Sequence, residues 1–344
     1  MMARHFFIWC GALVALSAAA TIHVTRSALA QTAVKFSLDW KYEGTQAPFL
    51  VALDKGYFKV EGLDVTIDTG SAPEAINRLA AETYDMAFTD INLLIKFRDQ
   101  NPEFRIKTVF MTYNKPAYAI VSRKSRGVMT PKDLEGKRLG APTADSAFAN
   151  WPIFAQANNI DQSKVTILNI GFPVREPMLV AGHVDAITGL SFSSYINVEY
   201  SSVPRDDIVV MLMANFGVRL YGNGIMVSPK FAAQKPDAVK GFLRAYLKGL
   251  KDAVKDPAAA IDFVLKRNEV ATKPLEVERL QMALHDNILT PEVRAKGFGT
   301  VDMARLDKAI EQIALAYSFK SARPKAQDIF DPSFLPAETE RRAN

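Results

Sequence analysis

The chain has 344 residues, with 42 Lys and Arg against 37 Asp and Glu and a single cysteine. A net charge of +5 dispersed along the chain gives no basis for a nucleic-acid partner, and one cysteine excludes an internal disulfide framework. Hydrophobic residues make up 49 % of the sequence, enough to build a sizeable core at this length.

Arg4, the apolar run Phe6 to Ala20 and the small-x-small triplet Ala28-Leu29-Ala30 before Gln31 predict a signal peptide over residues 1–30. His23, Thr25 and Arg26 interrupt the run, which is too short to span a bilayer. Ile8 and Trp9 before Cys10 lack the small residues of a lipoprotein site. Cleavage removes Cys10, so the exported chain has no cysteine nucleophile and depends on its core for stability.

Val34, Phe36 and Leu38 alternate with Lys35 and Ser37 and predict a strand with one packed face. The strand breaks into Asp39, Trp40, Lys41, Tyr42, Glu43 and Gly44. Pro48 then opens a helix whose apolar side carries Phe49, Leu50 and Leu53, and Gly56 ends it. Leu63, Val65 and Ile67 predict a second strand ending at Gly70-Ser71. Pro73 opens the next helix, Tyr84 to Phe88 is a third strand, and Asp90 caps the helix INLLIKF. Ile106 to Phe110 and Tyr118 to Val121 are further strands. Repeated β-α-β units imply a parallel, doubly wound lobe, whose ligands meet the carboxyl ends of strands beside helix N-termini.

A charged link, SRKSRGVMT, follows from Ser122. Beyond it Arg138 to Ala141 is a strand, Thr143 to Ser146 a capping corner, and Phe148, Trp151, Phe154 and Ala155 the apolar face of a helix. Val165 to Leu168 is a strand, Pro177 begins a helix, and Val184 to Thr188 is another strand. This second lobe follows the plan of the first. Ile76 to Asp90 aligns without gaps to Glu176 to Leu190, sharing Leu79 with Leu179, Ala81 with Ala181 and Asp85 with Asp185. After the strands at Ile208 to Leu212 and after Gly222-Asn223-Gly224, the chain turns mostly helical, led by the Val239 to Val254 face behind Pro236.

The Asp39-Trp40 pair after a strand, LDKGYF, and the following EGLDVTI resemble the solute-binding proteins of the nitrate, sulfonate and taurine type, especially the NMT1/THI5-like branch linked to thiamine-pyrimidine precursors. The resemblance runs from about Val34 to Phe334. It implies an α/β, two-lobed periplasmic-binding-protein fold of type 2, each lobe a doubly wound, mostly parallel sheet. The expected division is residues 31–121 and 223–337 for the first lobe, 122–222 for the second, two hinge crossings near Ser122 and Tyr221, and a flexible tail over 338–344. It further implies a periplasmic monomer that holds a small molecule between its lobes, closes on it and presents it to an inner-membrane ABC permease, with no cofactor, no metal and no nucleic acid.

Loops at strand ends supply the expected ligand contacts: Asp39, Trp40, Tyr42 and Gln46, then Ser71, Phe88, Thr89 and Asp90 in the first lobe, and Thr143, Asp145, Ser146, Gly189, Ser191 and Phe192 in the second. Asn114, Tyr221 and Asn223 complete the set. Unpaired N–H groups at helix starts and flat side chains suit a planar polar ligand. Asp39 and Asp90 accept hydrogen bonds and favour an aminopyrimidine-like or other nitrogen heterocycle, which the resemblance narrows to the thiamine-pyrimidine-precursor kind. Arg175, and less directly Arg219, would instead favour a sulfonate, taurine, nitrate or a carboxylate. A pyrimidine-processing enzyme is the remaining alternative. The resemblance implies such an enzyme in the THI5 branch, reliant on a cysteine-rich motif and a donor histidine. The exported chain has only His183 and His285, no cysteine and no histidine between Asp39 and Phe58, so the expectation is a binding protein, not an enzyme.

Overall fold

The computed structural model describes residues 31–343; the expected signal peptide over 1–30 lies outside the described residues. Ten strands occur in chain order among them: β1 (Thr32–Ser37), β2 (Leu63–Asp68), β3 (Met86–Asp90), β4 (Lys107–Met111), β5 (Tyr118–Arg123), β6 (Arg138–Ala141), β7 (Thr166–Asn169), β8 (Ala186–Leu190), β9 (Ile208–Leu212) and β10 (Asn223–Val227). They form two five-stranded sheets ordered β2-β1-β3-β10-β4 and β7-β6-β8-β5-β9.

The two sheets have one topology. β1 pairs parallel with β2 and β3, and β6 pairs parallel with β7 and β8. β10 runs against both its neighbours, as β5 does in the other sheet. In each case the antiparallel strand is the first one laid down after the chain has crossed from the other lobe. Each lobe is thus a doubly wound α/β layer with one reversed strand, built from two chain crossings.

The aligned segments Ile76 to Asp90 and Glu176 to Leu190 are equivalent in three dimensions. Leu79 and Leu179 are both fully buried on the helix before the strand. The Asp85 carboxylate accepts from the backbone N–H of Lys35 at 2.8 Å, and Asp185 from that of Arg138 at 2.9 Å. Both aspartates return a backbone N–H, to the Lys35 and Arg138 carbonyls, each at 2.9 Å. A carboxylate at this point fastens the entering strand to the centre of its sheet in each lobe.

Three expectations need correction. The Tyr118 to Val121 strand lies in the second sheet, between β8 and β9, so the first crossing is residues 112–117 and not the region of Ser122. Alternating apolar residues mark a strand but carry no information about its sheet. Pro177 does not begin a helix; it sits inside Phe172–Ala181, which starts five residues earlier with Pro173 in its first turn. The end of the chain is not a loose tail throughout, because Glu338–Arg341 forms a helical turn, the Phe298 N–H donates to the Arg341 carbonyl at 2.7 Å, and Arg341 Nη1 donates to the Phe298 carbonyl at 3.3 Å.

The first lobe's core is aromatic. Phe36 of β1 packs on Phe49 and Phe242 with ring centroids 5.0 and 4.9 Å apart, and Phe49 stacks on Tyr246 at 4.3 Å. Phe242 and Tyr246 belong to the 20-residue Pro236–Lys255 helix. This packing fixes the helix that follows β1 and so the loop between them, which carries Asp39 and Trp40. No helix among the described residues is long and apolar enough to cross a membrane.

Candidate functional site

The loops that leave β1, β2 and β3 meet the loops that leave β6, β7 and β8 around a cavity of about 200 Å³. The first lobe contributes Asp39, Trp40, Gln46, Ser71, Phe88 and Asp90; the second contributes Asp145, Ser146, Arg175 and Phe192; Asn223 enters from the second crossing. Equivalent strand ends of two equivalent sheets therefore converge on one space, as the doubly wound topology requires.

Carboxyl groups dominate its polar lining. Asn223 Nδ2 donates to Asp39 Oδ2. Burial pushes Asp39 up to about 7, the charge of Asp90 adds to the rise, and the Asn223 amide opposes it. Asp90 is also raised by burial, against the Tyr118 hydroxyl and the Asn92 backbone and side-chain N–H groups that donate to it. Asp145 is raised by burial and held down by the nearby Arg175 charge; its Oδ2 accepts from the Thr188 hydroxyl at 2.6 Å.

The single arginine of the lining is already engaged. Arg175 donates through Nε and Nη2 to Glu176 Oε1 at 2.9 and 2.6 Å, with Nη1 3.9 Å from Asp145 Oδ2. Ser194 donates to the same Glu176 oxygen at 2.9 Å. A Cβ at Gly189 would lie 2.2 Å from Ser194 Oγ and 3.1 Å from Arg175 Cζ, so a larger residue would displace these side chains. The Arg175 Nε and Nη2 groups are thus paired within the second lobe, while Nη1 makes no hydrogen bond among the described residues.

Aromatic rings form the remaining walls. Trp40, 39 % exposed, meets Phe172 of the other lobe, and Phe88 packs edge to face on Tyr113 at 5.6 Å, which in turn meets Phe192 at 6.1 Å. Flat apolar faces with carboxyl acceptors between them suit a planar molecule bearing N–H donors.

Seven of the expected contacts lie off the cavity lining. Tyr42 donates its hydroxyl to the Ile67 carbonyl at 2.8 Å, and Thr89 donates to the Ala72 carbonyl at 3.2 Å. Thr143 donates to Asn169 Oδ1 at 2.8 Å on the surface. Gly189 supports Arg175 from behind, and Ser191 is buried with its N–H on the Ala117 carbonyl at 2.8 Å. Asn114 accepts from Thr290 and Arg305 at 2.8 and 3.1 Å, and Tyr221 lies under the Arg305 guanidinium at 3.9 Å; both lie along the crossings.

The sequence reading passed over Tyr113 in the first crossing, Tyr118 at the start of β5, and Phe172, Leu190 and Ser193 in the second lobe as cavity residues. Placing the crossing near Ser122 hid the two tyrosines. Starting a helix at Pro177 hid Phe172, although Gly171 and Pro173 carry the start signal of that helix. Glu43, Thr45, Ala72, Pro73 and Ala144 also line the space, each adjoining a corner that the sequence had marked.

Comparison with known proteins agrees with this architecture. A family model described as NMT1/THI5 like matches residues 44–260. The riboflavin-binding protein RibY of Chloroflexus aurantiacus is 27 % identical over 84 % of this chain and 82 % of its own length. The formylaminopyrimidine-binding protein of Halalkalibacterium halodurans is 26 % identical over 73 % of this chain and 76 % of its own. A 4-amino-5-hydroxymethyl-2-methylpyrimidine phosphate synthase of Schizosaccharomyces pombe is 23 % identical over 65 % and 66 %. Among solved structures, the periplasmic aliphatic sulphonate-binding protein SsuA of Escherichia coli superimposes with a TM-score of 0.70 at 13 % identity, covering 89 % of this chain and 94 % of its own. The fold is the two-lobed periplasmic-binding-protein fold.

Proposed function

The chain belongs to the NMT1/THI5-like family, and from that premise we propose that it is the periplasmic solute-binding component of an ABC importer. In this reading it acts as a monomer, captures a single-ring nitrogen heterocycle bearing amino or ring N–H groups between its lobes, and presents it to an inner-membrane permease. The observation that carries the reading is the cavity between the strand ends, walled by aromatic rings and by Asp39, Asp90 and Asp145.

Size and charge support the ligand class. A cavity of about 150 Å³ holds one benzene ring, so about 200 Å³ accommodates one substituted ring and is small for three fused rings. Glu176 offsets the Arg175 charge beside the cavity, which makes it a weaker anion site than an unpaired guanidinium would be. Neither His183 nor His285 lines the cavity, which supports capture without turnover. Contact with both lobes makes the ligand favour their shut arrangement over the open one.

A thermal-shift series with formylaminopyrimidine, riboflavin and taurine tests the ligand class. The expected result is a rise of a few degrees with the pyrimidine at saturating concentration and no rise with taurine. Stabilisation by taurine or alkanesulfonates, with none by pyrimidines, overturns it. A mass spectrum of ligand recovered after denaturation separates receptor from enzyme, since a receptor returns its ligand chemically unchanged.

A further inference from the structure

Arg279, on the Lys273–Ala283 helix of the first lobe, is 4 % exposed. Its Nε donates to Glu276 Oε2 at 3.0 Å, and Nη1 lies 3.7 Å from Glu43 Oε2. Glu276 Oε2 also accepts from the Gly44 N–H at 2.6 Å, so this charge cluster holds the loop that follows β1. The same Nη1 reaches the second lobe, donating to Ser193 Oγ at 3.2 Å and to the Phe192 carbonyl at 3.4 Å. Glu43, Phe192 and Ser193 all line the cavity. One buried guanidinium thus touches a cavity wall from each lobe without lining the cavity itself.

We propose that Arg279 is a positioning residue for closure, fastening the Phe192–Ser193 wall of the second lobe to the Glu43–Gly44 wall of the first and setting how long a captured solute stays. The proposal rests on the solute-binding reading of the cavity. Its two contacts to the second lobe exist only while the lobes meet, and they therefore stabilise the shut arrangement. Their acceptors are a hydroxyl and a carbonyl at the long end of hydrogen-bond range, a joint that can break and re-form. A second link between the lobes, from Arg205 Nη2 in the Arg205–Asp207 turn to Glu278 Oε2 at 3.0 Å, is exposed and contributes little.

A purely structural role would be to neutralise Glu43 and Glu276, which are 6 % and 5 % exposed. Arg279→Lys separates the two roles, because an ammonium keeps the charge but loses the fork that spans both lobes. Small-angle X-ray scattering of the solute-free protein reads the lobe arrangement with no ligand present. The latch requires a larger radius of gyration in Arg279→Lys than in the wild type, with thermal unfolding still cooperative. Coincident scattering profiles overturn it. Where formylaminopyrimidine binds, stopped-flow measurement should show its dissociation about tenfold faster in the variant and its association within about twofold. An unchanged dissociation rate overturns the residence-time claim. Absence of formylaminopyrimidine binding counts against the ligand reading alone, since the scattering comparison still decides the latch. Should Arg279→Lys not fold, Ser193→Ala, which removes one acceptor, is compared by scattering in the same way: expansion supports the latch and an unchanged profile overturns it.

Discussion

Trp40 and Phe172 meet across the two lobes with ring centroids 6.0 Å apart and ring planes at 64°. One ring follows β1 and the other opens the Phe172–Ala181 helix after β7, so the pair exists only through the convergence of the lobes. Truncating either ring removes flat surface from the cavity lining and loosens contact between the lobes. Trp40→Ala is expected to weaken binding of formylaminopyrimidine at least tenfold by calorimetry, and Phe172→Ala by a smaller factor. Unchanged affinity in Trp40→Ala would remove that ring from the site.

Asp39 gives the protein a pH signature. Its folded value of about 7 stands above the ordinary 3.8, so the folded chain holds this proton more tightly than the unfolded one. The associated stability is complete below about pH 4, falls as pH rises towards about 7, and is flat beyond. Asp39→Asn should flatten that decline: the melting-temperature gap between variant and wild type changes between pH 4 and pH 7, with the variant gaining at the higher pH. A gap independent of pH would show that Asp39 titrates normally.

Gly44 packs against the backbone of the Lys273–Ala283 helix. An added Cβ would lie 2.2 Å from the Glu276 carbonyl oxygen, and backbone cannot swing aside as a side chain can. Gly44→Ala should cost about 1–3 kcal/mol in urea unfolding, and it should weaken solute binding as well, because Glu43 and Thr45 beside it line the cavity. Wild-type stability and affinity together would contradict this account.

The paired aspartates offer a test of the repeat. Asp185 accepts from the Arg138 backbone and from its guanidinium at 2.9, 3.0 and 2.8 Å, whereas Asp85 accepts a single backbone bond from Lys35. Arg138 holds Asp185 below the usual carboxylate range, so its contribution is present above about pH 4 and is lost as pH falls through the lowered value. Asp185→Ala should cost about 2–3 kcal/mol at neutral pH and Asp85→Ala about 1–2, measured by urea unfolding. Equal losses would mean that the Arg138 side chain adds nothing.

Much of this architecture was legible in residue order. The alternation at Val34 to Leu38, the cap at Asp90 and the Asp85/Asp185 echo are local signals, and each reports on a backbone segment of a few residues. Eleven of the eighteen expected contacts line the cavity, and most of these lie near strand ends or in the loops and first helical turns beside them, which a doubly wound sheet turns towards its ligand. The losses came where local signals do not suffice. Tyr118 reads as a strand in either lobe, and only its pairing with Leu190 assigns it to the second.

The sequence alone determined most of the segments that become strands and helices and pointed to two similar halves, because periodicity, caps and turns act over a few neighbouring residues. Tertiary structure decided which sheet each crossing strand joins, that Glu176 occupies Arg175, and that Asn223 bonds Asp39 across 184 positions of chain. Those outcomes depend on groups brought together by packing, and proximity in space leaves no mark on the spacing of residues along the chain.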